Sequence, residues 1–318
     1  MGEDRLVTPS RREETLGLLL GALGVVIFSA TLPLTRLAVH DLSPQFLTAG
    51  RAAIAGVLAI PVLAIGGRAP PWRDFPLLAL AALCIVVGFP GFSGLAMRAL
   101  PAAHASVVIG VLPLATAAVG ALIDGDRPSP AFWGCAILGS GIVAAFALHK
   151  GGGAFQAEDA LLLAAVASAA LGYTLSAQLS RRMPARDVIS WIAVLSLPVT
   201  APLSFVWRPE TVASVPASAW ACLAYLGAMS AYFGFFAWNA GLARGGVARV
   251  SQVQLAQPFL SLGLAVWLLG EQIDAETLLC AVAVVGLVFA GRRFRVSAAA
   301  RPTVDAPQSA ETLPLRRT

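Results

Sequence analysis

Six polar side chains interrupt the long apolar runs of this sequence, where a polar group is costly unless it has a function. Arg51 lies about six residues, or about 9 Å, inside one run, so its guanidinium can either reach water or bind a carboxylate. Gln254 and Gln257 share one helix face and can donate and accept hydrogen bonds. The other three, in further runs, are Tyr173, Tyr232 and Asn239. We predict that these residues contact a small polar molecule, with interhelical hydrogen bonding as the alternative.

Two prolines lie inside apolar runs that otherwise resemble uninterrupted helices, Pro113 in the fourth run and Pro258 in the ninth. A proline inside a helix removes a hydrogen bond and clashes with the preceding turn, at a cost of about 3 kcal/mol in a soluble helix. In a membrane bundle the resulting bend can act as a hinge or line a wet cavity. Proline is also commoner in membrane helices than in soluble ones, which is the simpler explanation for either one alone.

The composition places the chain among membrane proteins. Of its 318 residues, 58% are hydrophobic and 12% are charged, and the mean hydropathy is +0.78. Ten apolar runs could span a bilayer, so the predicted fold class is an all-α integral membrane protein with ten transmembrane helices. The runs lie near 16–35, 45–66, 75–97, 103–123, 131–148, 159–180, 187–206, 217–242, 247–269 and 275–291. Residues 1–15 and 297–318 are polar, which predicts disordered tails.

Charge placement predicts the orientation. With a cytoplasmic amino terminus, 17 Lys and Arg residues fall on the inner side and 4 on the outer side. Both termini are therefore expected in the cytoplasm, in a bacterial-type inner membrane. The expected partners are the lipid bilayer and a small-molecule substrate, without nucleic acid, and a homodimer is left open. No cofactor, metal or ATP-binding loop is predicted, because the four cysteines are scattered singly and no phosphate-binding motif occurs.

The stretch around each proline occurs twice. Residues 101–146 align without a gap to 246–291 at an offset of 145 positions. The alignment pairs Pro113 with Pro258, Gly125 with Gly270, and Asp126 with Glu271. The chain is therefore predicted to hold two five-helix repeats, over 16–148 and 159–291, and an odd helix number inverts the second in the membrane. Recurrence favours the hinge interpretation of the prolines.

These features resemble the EamA-type branch of the drug/metabolite transporter superfamily. The resemblance covers about residues 16–291, and its most specific part runs from Pro258 through Gly270 and Glu271. Arg51 matches an arginine that family members often carry in helix 2. The sequence departs from the family pattern at Asp126, where glutamate is usual, and at Phe28-Ser29, where a Trp-Gly pair is common.

The resemblance implies a secondary carrier that moves small metabolites, often outward, along a pathway enclosed by helices 1–4 and 6–9. No acidic residue lies in the middle of a predicted helix, which argues against a proton-driven cation exporter and favours a facilitator or exchanger of neutral, zwitterionic or anionic metabolites. The predicted function is a secondary transporter, an exporter or exchanger of small polar metabolites such as amino acids, that works by alternating access. His104 is the only titrating group expected near the membrane, and an interfacial location is the simpler reading. Glu271 and Asp126 are expected to cap the next helix or to pair with loop arginines.

Two other classes remain as alternatives. The stretch GFSG at 91–94, with His104 following, resembles the nucleophile and base of an intramembrane serine protease. Ser93 is predicted about four residues inside helix 3, whereas His104 begins helix 4, and this geometry opposes a hydrogen bond between them. A non-transport membrane scaffold is the second alternative. Neither class requires the repeat, so a non-enzymatic carrier is the preferred interpretation.

Overall fold

The protein is an assembly of apolar helices. The computed structural model describes residues 11–66, 71–124, 129–154, 156–245 and 251–293, and these ranges contain no β-strand. Eight helices are long and apolar enough to cross a bilayer, and two further apolar helices are shorter. The eight are α1 (Arg11–Ala38), α2 (Pro44–Ile65), α3 (Trp72–Ala96), α4 (Ala102–Ile123), α5 (Pro130–Lys150), α6 (Ala157–Leu179), α7 (Ala185–Val206) and α8 (Ala217–Leu242), and the shorter two are α9 (Val253–Leu269) and α10 (Ala275–Gly291).

Some of the predicted features fall on residues that the structure does not describe. Gly125 and Asp126, the first copy of the repeat motif, lie outside the described residues, as does the predicted tail over 297–318. At the other end, α1 already begins at Arg11, so the last residues of the predicted amino-terminal tail are helical. Two glutamates in the first turn favour this early start, because carboxylates interact favourably with the positive end of a helix dipole.

The helices α4 and α9 are both interrupted next to their prolines. α4 consists of Ala102–Ile109 and Leu112–Asp124, separated by a two-residue turn. α9 starts within a 3₁₀ segment, Ser251–Ala256, and continues as α-helix from Gln257. Each predicted hinge proline is therefore the second residue of the α-helical segment after an interruption. Proline fits there because a first-turn residue has no intrahelical N–H bond to lose.

Irregular backbone also recurs in α3 and α8. Each contains a π-helical stretch, Leu83–Gly88 in α3 and Leu226–Phe233 in α8. Such stretches are rare and often mark functional positions. In α8 the stretch brings Ser230 and Tyr232 into the bundle interior, where both are buried.

Helix contacts between the first five and the last five helices come in matched pairs. α2 packs along α7, and α5 packs along α10. α1 contacts α8, and the corresponding helices of the other half, α6 and α3, also contact each other. In the same way, the contact between α4 and α6 corresponds to the contact between α9 and α1. The two halves are therefore interleaved within one bundle, and the largest buried apolar cluster includes residues from both.

Glycine allows α1 and α8 to approach at backbone distance. A Cβ added at Gly241 would lie 2.6 Å from the backbone nitrogen of Gly21 and 2.9 Å from the carbonyl oxygen of Gly17. No side chain fits between two backbones this close, which explains the G-x-x-x-G spacing at the start of α1.

Candidate functional site

A buried polar cluster lies where α1, α2 and α8 meet. Arg51 on α2 is 6% exposed, and its Nη2 donates to the Ser230 hydroxyl oxygen of α8 at 3.3 Å. That hydroxyl also shares a hydrogen bond of 2.8 Å with the Thr31 hydroxyl of α1. The Nε of Arg51 is buried without a hydrogen-bond partner, and no carboxylate forms an ion pair with Arg51 among the described residues. The cluster therefore holds a cation whose donors are only partly used.

Aromatic rings lie beside this cluster. Phe28 of α1 and Phe235 of α8 have ring centroids 5.0 Å apart, and Phe235 also meets the Tyr173 ring of α6 edge-on at 6.2 Å. Tyr173 is half-buried and close enough to Arg51 for an electrostatic interaction. Phe28 lies three residues before Thr31 on α1, and Phe235 lies five residues after Ser230 on α8. A guanidinium, two hydroxyls and apolar aromatic rings thus occur in neighbouring stretches of the same helices, a combination that suits a molecule with a carboxylate and an apolar portion.

The interruption of α1 explains how Thr31 comes to face Arg51. α1 breaks at Ala30, and Ser261 of α9 donates its hydroxyl to the Ser29 carbonyl oxygen at 2.8 Å. Tyr225 of α8 donates to the Ile27 carbonyl at 3.1 Å. Side chains of α8 and α9 therefore donate hydrogen bonds to the carbonyl groups around the break. In an apolar layer, carbonyl groups that lack an intrahelical donor need such a bond.

Of the six predicted polar residues, Arg51 and Tyr173 lie together at this cluster. Tyr232 is fully buried elsewhere, against α2 and α7, where its hydroxyl makes a 2.9 Å hydrogen bond with Ser190 and its ring packs on Phe236. The structure therefore gives Tyr232 a packing environment with its hydroxyl already engaged. The other three residues are partly buried, on α8 and around the start of α9: Asn239, Gln254 and Gln257.

Sequence reasoning missed the hydroxyl partners Thr31 and Ser230. Short hydroxyl side chains are frequent in membrane helices, so neither residue differs from the many others in composition or spacing. The one available signal was the departure of Phe28-Ser29 from the family pattern, because it marked α1 as unusual directly before its break.

A second buried polar pair, also missed, joins α4 to α6. The Nε2 of His104 lies 2.7 Å from Oδ1 of Asp159, and the two side chains are 8% and 2% exposed. From sequence, His104 was expected at the interface. Asp159 is in the first turn of α6, but neighbouring helices cover that turn, so a position at the helix boundary does not imply exposure.

Glu271 caps a different helix from the one expected. Its two carboxylate oxygens accept hydrogen bonds from the backbone N–H groups of Ala102 and Ala103, at 2.8 Å each, at the start of α4. The next helix, α10, is instead capped by Asp274, which accepts from the Thr277 N–H at 3.0 Å. Gly270 makes this possible, because its φ of +65° turns the chain sharply at the end of α9.

The geometry opposes the protease alternative. The Ser93 hydroxyl donates to carbonyl groups of its own helix, at 2.6 Å to Phe89 and 3.3 Å to Pro90. His104 is engaged with Asp159, so the hydroxyl and the imidazole do not form a nucleophile–base pair. No group of three or more His, Cys, Asp or Glu side chains that could hold a metal ion occurs in the described part of the chain.

Comparison with known proteins agrees with this architecture. The sequence pattern of the EamA-like transporter family matches twice, over residues 15–147 and 156–291. The chain is 47% identical over 281 residues to the uncharacterized transporter YdeK of Bacillus subtilis, covering 88% of this chain and 98% of that protein. It is 27% identical over 257 residues to a probable terminal-alkyne amino-acid exporter of Streptantibioticus cattleyicolor, covering 78% and 84% of the two chains.

A solved crystal structure of a protein shares the fold, with a TM-score of 0.60 and 24% identity, covering 89% of this chain and 99% of that one. Two matches of the family pattern account for nearly all of the apolar helices, and the relatives are transporters. The chain is therefore a multi-pass membrane transport protein and not an enzyme. It belongs to the EamA-like transporter family.

Proposed function

We propose that this protein is a secondary carrier that exports small carboxylate-bearing metabolites such as amino acids across the bacterial inner membrane. The observation that carries the proposal is Arg51, a buried guanidinium with an unpartnered Nε and, within the described part of the chain, a single long hydrogen bond, to Ser230. An unpaired charge in an apolar interior is unfavourable, and a carboxylate can accept from two guanidinium donors at once. A carboxylate substrate would supply the missing partner.

The aromatic rings and one relative support the substrate class. Phe28, Phe235 and Tyr173 provide an apolar surface beside the guanidinium, as the side chain of a neutral amino acid needs. The relative from Streptantibioticus cattleyicolor is named as a probable terminal-alkyne amino-acid exporter. These two observations favour a zwitterionic substrate with an uncharged side chain.

Alternating access between two inverted five-helix repeats is the mechanism that we propose. It is supported by the two matches of the family pattern and by the matched helix contacts that interleave the halves. In this view α9 and α10 also cross the membrane, since each helix measures about 25 Å at 1.5 Å per residue. Pro113 and Pro258 would act as hinges, with Gln254, Gln257 and Asn239 in the pathway. Tyr232 would support the pathway from its packed position.

The proposed orientation places both termini in the cytoplasm, following the distribution of Lys and Arg. The starts of α4 and α6 and the turn between α9 and α10 then lie on the outer side. The start of α9 lies on the inner side. Fusions of reporters to the loops at 98–101 and 181–184 test this assignment, because only the second should be cytoplasmic.

Replacement of Arg51 tests the substrate assignment. We expect Arg51→Ala to reduce export of radiolabelled amino acids from preloaded cells by about 30-fold or more, the effect of removing one partner from a buried charged pair. Arg51→Lys should retain part of the activity, because it keeps the charge but loses the planar fork. Thr200→Val is the matched control, since it removes a buried hydroxyl of α7 that bonds within its own helix, outside the cluster. Export that is unchanged in Arg51→Ala would refute the carboxylate site.

A further inference from the structure

The outer end of α4 is fastened by two independent polar contacts, which together we call the outer clasp. Its members are Glu271, the backbone N–H groups of Ala102 and Ala103, and the pair His104 and Asp159. Both acidic residues of the clasp come from the second half of the chain, whereas the segment that they hold belongs to the first. The clasp therefore ties the two halves together at the outer surface.

The Glu271 contact is a charged cap that α4 cannot supply from its own sequence. The residue preceding α4, Pro101, provides no side-chain hydrogen bond to the first turn. A carboxylate that accepts from two N–H groups at the start of a helix makes charge-assisted bonds and also interacts with the helix dipole. Loss of Glu271 would leave two buried backbone donors without partners.

The His104 and Asp159 contact is equally specific. Asp159 uses both oxygens, because Oδ1 meets His104 and Oδ2 accepts from the Gln156 backbone N–H at 3.3 Å in the capping box of α6. The imidazole is also packed against the Phe146 ring of α5, with centroids 5.0 Å apart. His104 therefore connects α4 to α6 while α5 covers it.

The first segment of α4, which the clasp residues contact, is packed inside the protein. Every residue of the segment Ala102–Ile109 is buried. A cavity of about 370 Å³ approaches the clasp at this end of the bundle, and its lining includes His104, Phe146, Lys150 and Glu271. The cavity therefore reaches the clasp residues, whereas the helix behind them is buried.

We propose that the outer clasp is the external gate of the transport cycle. This inference rests on the proposed alternating-access function. The clasp is intact while the pathway is closed to the outside, and its contacts separate when α4 moves to open the outer side. Glu271 and Asp159 are positioning residues for this gate and do not contact substrate.

The test measures access to α4 from outside, in the full-length protein in cells. Val108→Cys places a reporter thiol at a position that is 1% exposed, and labelling by a membrane-impermeant maleimide reports outer opening. The chain without this reporter gives the background of the four native cysteines. Adding Glu271→Gln should raise the labelling rate by about tenfold, because one charge-assisted bond is lost. Glu271→Asp, which keeps the carboxylate, should restore part of the protection.

Asp274→Asn is the matched control. Asp274 lies in the same turn and is paired with Lys150, but it does not touch α4. Its replacement should leave labelling unchanged. Equal labelling in Glu271→Gln and its parent, or an equal increase in Asp274→Asn, would overturn the proposal.

A second variant separates the gate from simple misfolding. Asp159→Asn removes the charge and one of the two acceptor oxygens, and the remaining amide oxygen can accept either from His104 or from the Gln156 N–H, so labelling should rise in the same direction at an unchanged yield of folded protein. If Asp159→Asn lowers the yield and the surviving protein labels as the parent does, the gate is refuted. Arg51→Ala distinguishes the two proposals, since it should reduce export by about 30-fold or more without exposing the reporter. Intact export in Arg51→Ala, together with the Glu271→Gln increase, would remove the carboxylate site but retain the gate.

Discussion

The two copies of the proline-containing motif have different backbones and different surroundings. In α4, positions 106–109 are α-helical, and four of the five positions 108–112 are buried. In α9, the aligned positions 251–254 are 3₁₀ helix, and none of positions 253–257, which align with 108–112, is buried. Since the sequences align without a gap, the difference is not caused by an insertion. The same motif therefore occupies a closed environment on one side of the molecule and a more open one on the other.

Side chains at paired positions match this difference. Gln254 and Gln257 of α9 correspond to Ile109 and Leu112 of α4, each of which is 8% exposed. Partly exposed amides at membrane depth are stable only next to water or to polar partners, whereas buried aliphatic side chains need neither. The comparison teaches that the start of α9 is suited to a wet cavity and the segment of α4 before Pro113 to a closed, packed environment. In the proposed orientation, a carrier open to the cytoplasm would have this asymmetry.

Exchanging one paired position between the copies should give the largest effect. We expect Ile109→Gln to destabilise the folded protein by about 1–3 kcal/mol, because a buried amide would lack partners. Gln254→Ile should change stability little but slow export, because it removes an amide from the proposed pathway. Thermal unfolding in detergent and export assays measure the two effects. Equal destabilisation by both exchanges would contradict the difference in environment.

Much of the fold was accessible from sequence, because hydrophobic run length is a direct consequence of bilayer thickness. The recurrence of Pro113 and Pro258 also located the helix interruptions. Proline alone would not have done so, since Pro61, Pro198 and Pro202 lie inside uninterrupted helices. The recurrence of the motif, and not the presence of a proline by itself, predicted where the helices are interrupted.

The site was predictable only in part. Arg51 was identifiable because a charge in an apolar run is rare. Its partners Thr31 and Ser230 depend on the break in α1 and the π-helical stretch of α8, and neither irregularity has a distinctive sequence signature. Contacts between the two halves of the chain were also not predictable from sequence. Glu271 reaches α4 across 169 positions of sequence, which no local capping rule includes.

Replacement of the two proposed hinge prolines should give the next largest effect, on the rate of export. We expect Pro258→Ala and Pro113→Ala each to slow export by about tenfold, since alanine favours a continuous helix across the interruption and the proposed cycle bends both helices. Pro61→Ala, inside the uninterrupted helix α2, is the control and should leave the rate near that of the parent. Export rates in preloaded cells give the measurement. If only Pro258→Ala slows export, the hinges are not equivalent.

A smaller effect is expected at a pair of hydroxyls. Ser261 of α9 donates to the Ser29 carbonyl of α1, whereas its counterpart Thr116 of α4 donates at 2.9 Å to the Leu112 carbonyl of its own helix. Ser261→Ala should therefore cost about 1 kcal/mol of unfolding free energy, because it leaves a buried carbonyl at the break of α1 without that donor. Thr116→Val should be nearly neutral. A comparable loss in both variants would show that the α1 bond has no special role.

The smallest effect should appear at the caps of α5 and α10. Asp274 caps α10 and corresponds to Ser129, which caps α5 by accepting from the Phe132 N–H at 3.2 Å. The Lys150 ammonium, followed by the Thr277 hydroxyl and N–H, holds the pKa of Asp274 well below its usual range. A lowered pKa in the folded state gives stability at neutral pH that is lost as the pH falls below the unfolded value of about 4. The free energy of unfolding, measured from pH 7 to pH 3, should therefore be slightly lower for Asp274→Asn than for the parent at neutral pH. This difference between the two proteins should become smaller as the pH falls. The difference in unfolding free energy between Ser129→Ala and the parent should not change with pH, because a hydroxyl cap carries no charge to titrate.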